Sequence, residues 1–566
     1  IVSGHRKGTW SSRETAPQCE RWSGIRIVIA ASFAPIHERN NINLGQVMGN
    51  HQMLERLQNG DSIPLAEFTE QYDPVTKLIL ENGGILPFAK KLKNGGVELP
   101  PVSTARRGMT MAEKIIAKKL IGRDGATCFV SPGDAVLATV DGGYSHEFTT
   151  AQVHNFLTAE YGADYTLPNP PKFAVFEDHL LYATDVPRFG PFIDKIQMLR
   201  DLQVTFQQHT GVRDYSAKDG VSPGICHQVA REEFIDVGDF IQATDSHTCM
   251  GGASNALTYG VGSTEYANLV HNQFAFVKVP ESIRFELTGK LNPGCTAKDV
   301  ILHILWHYAK HSDTLDRSME FGGPGLASIS MDERATLCNM ATECSAKTGI
   351  CDPDQLTIDW LLERRNDLNE EQIRDAFVFP DHDAVYHGGI HAIDLNKIRP
   401  MVAHPGNPDE GIPSDPTNGA YIDEIGTVPI DIAYAGSCTA GKDDDFSYYA
   451  KVATAARDAG LKVADGVECY IQFGSGSVKE LSERMGWTAL FKEVGIHLID
   501  PGCGACIGAG PGISDDPSQV TISAINRNFQ GRSGPGQLYL ASPLTVMVSA
   551  FTGQITAWHP EIFSDI

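Results

Sequence analysis

The sequence predicts an α/β protein built around mostly parallel sheets. Three observations carry that expectation. From residue 109 onward, short apolar runs rich in β-branched residues alternate with amphipathic stretches of helical period. Fifty-five glycines supply the tight turns that such alternation needs. A chain of 566 residues also exceeds what one core can organise, so several domains of about 100–200 residues each are expected.

The elements follow in order. Residues 1–60 open with a turn-rich "SGHRKGTWSSRE" and continue into "IRIVIAASF", a buried strand by its β-branched run. Residues 61–108 are polar and end in "ELPPVSTARRG", whose double proline and basic pair read as a linker. "MTMAEKIIAKKLIG", from Met109, has apolar residues at helical spacing, with Thr110 and Glu113 as a capping box. Strands in "CFVSPGDAVLATV", "KFAVFEDHL" and "FIQATD" alternate with helices to about 280, forming a first α/β block, 109–280. Pro280 and Pro293 bracket the strand "SIRFELTGKL", which opens a second block, 281–400. A Pro/Gly-rich stretch at 404–419 marks entry to a third, 401–566, with strands in "PIDIAYAGSC", "LKVADGVECYIQF", "GIHLIDPGC" and "QVTISAINRNF" and a last strand-and-helix run in "GQLYLASPLTVMVSAF".

Composition restricts function. Lys+Arg 46 against Asp+Glu 70 gives a net charge of -24, which disfavours binding to nucleic acid through the overall field. An anionic substrate must therefore meet a local cluster of cations. No run of 18 apolar residues is present, and no signal-peptide pattern precedes the first block. Twelve cysteines in 566 residues are too few for a disulfide scaffold. A reducing compartment follows, the cytoplasm first and the mitochondrion second.

Three cysteines stand apart from the rest. Cys438 follows an apolar strand in "AGSCTAGK", and Cys503 and Cys506 follow another in "PGCGACIGAGPG". Thiolates in Gly-rich turns at strand ends can converge on one point, and the backbone N–H groups of such turns favour negative sulfur. Four ligands would suit a closed zinc or electron-transfer site, whereas three leave one metal position open as a Lewis acid. A redox CxxC with a stray cysteine, and a zinc site completed by histidine, fit the spacing too. Asp178-His179, His227 and Asp245-Ser246-His247 each stand at the end of a predicted strand, a pattern that favours one polar site. Arg527 and Arg532 lie five apart after a strand, and guanidinium forks grip carboxylates.

Six segments together resemble the aconitase superfamily, in its isopropylmalate isomerase and homoaconitase branch. They are "EDHL" (177–180), "SPGICHQVAREE" (222–233), "TDSHTCMGGASNALTYGVGSTE" (244–265), "GSCT" (436–439), "PGCGACIG" (501–508) and "NRNFQGRSG" (526–534). The resemblance covers about 109–566. It implies three αβα domains around a cleft, with Cys438, Cys503 and Cys506 holding a [4Fe–4S] cluster. It also implies that His179 protonates a departing hydroxyl, oriented by Asp178, that Asp245 pairs with His227, and that His247 pairs with Glu343. Gln152, Ser246, Asn339, Asn526, Arg527 and Arg532 then line the substrate.

"GTWSSRETAP" followed by "GIRIVIAASFAPIHERNNINLG" is similar to the core of that family's swivelling domain, here placed before the cluster domains. Mapped onto it, Ser11 is the proton-abstracting base, Ser12 lies beside it, and Arg13 binds a carboxylate. Ten residues precede Ser11, so the family's upstream strands are expected from a removed segment or a second chain. Met250 stands where true aconitases carry Asn, which favours a 2-substituted malate over citrate. The implied reaction is loss and re-addition of water on a 2- or 3-hydroxy di- or tricarboxylic acid. A dehydratase of the 2-methylcitrate type and an RNA-binding iron sensor are the alternatives, the second opposed by the acidity.

Overall fold

The computed structural model describes residues 1–5, 7–8, 14–121 and 128–563. Ser11, Ser12 and Arg13 lie outside the described residues. The α/β expectation is met by three larger sheets and two small ones.

The first large sheet is fully parallel, in the order Arg213–Tyr215, Phe173–Phe176, Gly142–His146, Phe240–Ala243, Leu257–Gly260. Its central strands are buried on both faces, as parallel strands sandwiched by helices must be. The second has four parallel strands, Thr348–Cys351, Ser318–Gly322, Ser282–Thr288 and Ile390–Asp394. In the third, Gln537–Ala541, Val520–Ser523, Ile432–Gly436, Glu468–Gln472 and His497–Ile499 are parallel. Met401–Ala403 and Gly419–Tyr421 extend that sheet antiparallel at one edge. The Pro/Gly-rich stretch at 404–419 is thus the connection between two edge strands inside this sheet. After the last strand, Ser542 accepts from the Thr545 N–H at 3.3 Å and Pro543 opens the buried helix Pro543–Thr552.

The expected linker is corrected by the structure. Within 61–108 lie three helices, Leu65–Thr69, Pro74–Glu81 and Ile85–Lys93. Asp73 caps the second by accepting from the Val75 and Thr76 N–H groups, with Pro74 at its first position. Val75, Ile79, Ile85, Leu86, Phe88 and Ala89 are buried in the same core as Met48, Ile115, Leu157 and Tyr266. The segment looked like a linker because its mean polarity conceals apolar positions recurring at helical spacing on one face. Only its extended end, near the prolines, matches the expectation. The helix read from Met109 spans Met111–Lys118, with the Thr110 N–H donating to Glu113 at 2.8 Å as the capping box requires. It stops short of the predicted end because Leu120 bridges to Ala138 of a small antiparallel sheet.

The N-terminal strands Ile27–Ile29 and Val47–Gly49 pair in parallel, and Val2 adds a bridge to Ile29. "IRIVIAASF" therefore contributes a three-residue strand whose last two residues are buried.

If 61–108 belongs to the core, Phe88→Ala, at a fully buried site, should cost about 3–5 kcal/mol. Calorimetry should then show a lowered unfolding temperature. An unchanged transition would restore the linker reading.

Candidate active site

The site forms where strand ends of the first and third sheets meet, the position at which open parallel sheets expose loops to ligands. From the first sheet, Gly142–His146 ends in His146, Phe173–Phe176 leads to Asp178-His179, and Phe240–Ala243 leads to Asp245. From the third, Ile432–Gly436 leads to Cys438, His497–Ile499 to Cys503 and Cys506, and Val520–Ser523 to Asn526 and Arg527.

Glu147 holds the Asp178-His179 turn in place. Its buried carboxylate accepts from the backbone N–H of Asp178 at 3.2 Å, of His179 at 2.7 Å, and of Leu180. Burial and the Asp178 charge lift the Glu147 carboxyl to about 7. Asp178 is also fully buried, with Oδ1 2.7 Å from His179 Nδ1 and Oδ2 accepting from the Cys226 N–H at 2.8 Å. Its carbonyl accepts from the Cys503 N–H at 2.7 Å, tying the acid–base turn to the cysteine turn.

Asp245 gathers the imidazoles. It lies 3.2 Å from His179 Nε2 and 3.1 Å from His227 Nε2, and accepts from the His247 N–H at 2.8 Å. His179 thus has a carboxylate at each ring nitrogen, so both nitrogens donate and the ring is an imidazolium. Burial opposes that charge, but Cys503, Asp178 and Asp245 outweigh it and raise the His179 pKa well above the ordinary value. Burial likewise opposes ionising Asp245, yet bonds from His179, His227 and His247 hold it well below the usual carboxylate range. His227 Nδ1 faces the Tyr144 hydroxyl at 3.0 Å.

A second network adjoins the first. His247 Nε2 lies 2.9 Å from Glu343, and Arg527 Nε donates to the same Glu343 oxygen at 2.8 Å. Arg527 also donates to Ser246 Oγ at 3.2 Å. Burial works against ionised Glu343, but His247 and Arg527 keep its pKa below the ordinary value.

All twelve cysteines are free. Cys438 follows Gly436 and Ser437, both left-handed (φ +102° and +68°), and a left-handed Ser is a strained way to aim a neighbour. Gly504, between the other two cysteines, is left-handed too (φ +47°). Asn339 Nδ2 donates to Cys438 Sγ at 3.3 Å, and the Asn526 amide lies between Cys438 and Cys506 at 3.5 Å from each. Arg532 Nη2 points at Cys506 Sγ from 3.8 Å. Burial pushes the Cys503 thiol up to about 12 and the Cys438 thiol higher still. Three unbridged sulfurs, Cys438 and Cys506 with N–H donors aimed at them and Cys438 and Cys503 with thiols that burial keeps protonated, fit an iron–sulfur group that would bring positive charge.

Nearly every sequence-predicted residue within the described chain joins this assembly: Asp178, His179, His227, Asp245, Ser246, His247, Glu343, Asn339, Asn526, Arg527, Arg532 and the three cysteines. Gln152 is placed elsewhere, accepting from Ser263 Oγ at 3.0 Å and from Gln18 Nε2 at 3.3 Å. His146, six residues earlier, stands beside His179. Its ring stacks on His179 at 3.7 Å and lies 3.8 Å from Asp245. The signal was available, because His146-Glu147 closes a strand in the same way as Asp178-His179 and Asp245. Met250 is fully buried behind Asn339, whose Nδ2 is 3.6 Å from its sulfur, so any influence on substrate passes through that amide.

An imidazolium braced by a buried carboxylate can deliver a proton to a departing oxygen, and a guanidinium alongside can hold an acidic reactant. That chemistry suits the removal or addition of water at a hydroxy acid. Residues 113–553 match the aconitase family (aconitate hydratase) and residues 1–48 match the aconitase C-terminal domain. The chain belongs to the aconitase family. It is 32% identical over 454 residues to the methanogen homoaconitase large subunit of Methanocaldococcus jannaschii, covering 79% of this chain and 99% of that protein. The 3-isopropylmalate dehydratase large subunit of Clostridium kluyveri is 34% identical over 453 residues, covering 79% of this chain and 98% of that one. The crystal structure of Thermococcus kodakaraensis aconitase X aligns with a TM-score of 0.40 at 10% identity, over 76% of this chain and 90% of that one. No helix among the described residues is long and apolar enough to cross a membrane.

Glu343 neutralises two cations at once, so its removal should be costly. Glu343→Leu leaves Arg527 and His247 without their shared partner, at about 3–5 kcal/mol. Glu343→Gln keeps an acceptor and should cost less. Equal unfolding temperatures for wild type and Glu343→Leu would show that the pair carries no stability.

Proposed function

We propose that the protein dehydrates a 2-substituted malate or a related hydroxy tricarboxylic acid and rehydrates the unsaturated product, as an isomerase. The observation that carries this is the His179 ring, held charged between Asp178 and Asp245 and one backbone hydrogen bond away from the cysteine turn. Two relatives bear names that set the substrate class, homoaconitase and 3-isopropylmalate dehydratase.

Cys438, Cys503 and Cys506 would hold a [4Fe–4S] cluster, which would supply Lewis acidity because three cysteines leave one iron without a protein ligand. Arg527 fixes a substrate carboxylate through its outer face while its Nε stays on Glu343, so it cannot swing away. Arg532 and, in our reading, Arg13 take further carboxylate oxygens. Asn339 and Asn526 orient the sulfurs. His179 Nε2 gives its proton to the departing hydroxyl, and Asp178 keeps the ring aligned as that charge leaves. Asp245 remains ionised and draws the imidazoles together for the next proton. His146, stacked on His179, limits the rotation of that ring. Ser11 is assigned as the base that takes the carbon-bound proton, with Ser12 beside it. That role needs a neighbouring cation and N–H donors, because a serine hydroxyl is otherwise a poor base. Twelve unbridged cysteines suit the cytoplasm, to which we assign the protein.

Anaerobic reconstitution with iron and sulfide, followed by ultraviolet assay against a panel of alkylmalates and citrates, tests the proposal. Wild type should bind about four iron atoms and turn over at least one alkylmalate. Cys438→Ser should lose most of the iron. His179→Asn should keep its iron while kcat falls about 10²–10⁴-fold, and Ser11→Ala should lose turnover with little change in binding. Full activity without iron would sink the cluster assignment.

A further inference from the structure

Helix Ser263–Asn272 has an unusual start. Its N-cap is Gly262, which has no side chain to offer the first-turn N–H groups. Gly262 has φ −71°, a conformation open to any residue, so backbone geometry does not require glycine there. Space does. A Cβ at Gly262 would come within 2.8 Å of Asn40 Oδ1 and 3.0 Å of Glu14 Oε2.

The missing cap is supplied from 250 residues away. Glu14 Oε2 accepts from the Thr264 N–H at 2.7 Å and from Gln18 Nε2 at 3.2 Å. A carboxylate at a helix N-terminus is favoured by both the free N–H groups and the helix dipole. At the next residue, the buried Glu265 takes Arg39 as an ion pair and accepts from Asn43 Nδ2 at 3.0 Å. Arg39 also lies 5.4 Å from the centre of the Tyr259 ring. The four residues Gly262-Ser263-Thr264-Glu265 therefore engage Glu14, Arg39, Asn40 and Asn43, all from the N-terminal segment.

This contact adjoins the site. Glu14, Thr149, Gln152, Thr244 and Ser263 share one small cavity. Thr149 Oγ1 and Thr244 Oγ1 are 2.6 Å apart, and Thr244 directly precedes Asp245. On the other side, Glu14 directly follows Arg13 in the chain. Glu14 Oε1 is buried and has no hydrogen-bond partner among the described residues.

We propose that Gly262–Glu265 is a socket for the N-terminal segment, and that Glu14, seated in it, is a positioning residue for Ser11 and Arg13, its near neighbours in the chain. The positioning role rests on the assignment of Ser11 and Arg13 made above; the socket does not. Glu14 touches no reacting atom in this account. It holds residue 14 in the cavity it shares with Thr244, the neighbour of Asp245, as a cap borrowed by a helix that cannot cap itself.

The test uses the full chain, reconstituted with iron and sulfide. Glu14→Ala and Gly262→Ala should both keep wild-type iron and speed hydrogen exchange at the Thr264 amide. In both, kcat on the best alkylmalate should fall by about 10²-fold, the cost of a misplaced group, with a smaller change in KM. Glu14→Gln, whose amide oxygen can accept the same bond, should restore slow exchange and most of kcat. Unchanged exchange in both Glu14→Ala and Gly262→Ala would overturn the socket. Faster exchange with wild-type kcat would overturn the positioning role. Ser11→Ala separates the two layers: if it turns over normally, the Ser11 assignment fails, while exchange at Thr264 still decides the socket.

Discussion

The site depends on what Asp178 does with its three oxygens. One carboxylate oxygen orients His179, the other accepts from the Cys226 N–H, and the carbonyl accepts from the Cys503 N–H. The first two bonds set the acid–base group within the first sheet. The third ties that group to a turn of another sheet, more than 300 residues further along the chain. Two loops on separate sheets would otherwise drift with the packing between those sheets. A short backbone bond at the reacting end removes that freedom, and catalysis by proton transfer tolerates little of it.

Around that fixed point the protein buries charge densely. Taking one ion out of water costs several kcal/mol, so each buried ion here has a partner at hydrogen-bond distance. Asp245 is shared by three histidines and Glu343 by His247 and Arg527. Sharing keeps these charges compensated while leaving the outer face of Arg527 for a reactant and the His179 Nε2 proton on Asp245 until one arrives. Such an arrangement is already oriented before substrate arrives, so little reorganisation is needed when charge develops. The cysteines are the exception. Burial makes the Cys438 and Cys503 thiols reluctant to ionise, and the Arg532 guanidinium stands 3.8 Å from the Cys506 sulfur. Asn339, Asn526 and Arg532 prepare the sulfurs for a group that brings positive charge of its own.

Much of this was legible in the sequence because parallel sheets display function at strand ends. His179, Asp245, Cys438 and Arg527 each follow an apolar run that could be recognised as a strand, and each strand formed. Gln152 lies inside the helix Glu147–Tyr161, away from any strand end. The strand-end rule would have selected His146 in its place. The helices of 65–93 were hidden for another reason: each is short, and the polar residues that join and follow them raise the mean polarity of 61–108 above the signal of their period. Glu147 and Glu14 were illegible in principle. Each works by accepting backbone N–H groups, and a donor that every residue carries leaves no trace in composition or motif.

The way the N-terminal segment is attached follows from that last point. Its contacts with helix Ser263–Asn272 are a cap, an ion pair and amide bonds, not a broad apolar surface. Polar contacts of this kind set register strictly but contribute modest net stability, because each replaces bonds to water. Alone they would hold a free partner weakly. Here the helices of 65–93 pack into the core that Met48 and Ile42 share with the first sheet, so docking of residues 14–43 is an intramolecular step. Tethering raises the effective concentration of the segment, and weak directional contacts are then enough. The division of labour is physical: apolar packing keeps the segment present, and the borrowed cap decides where it sits.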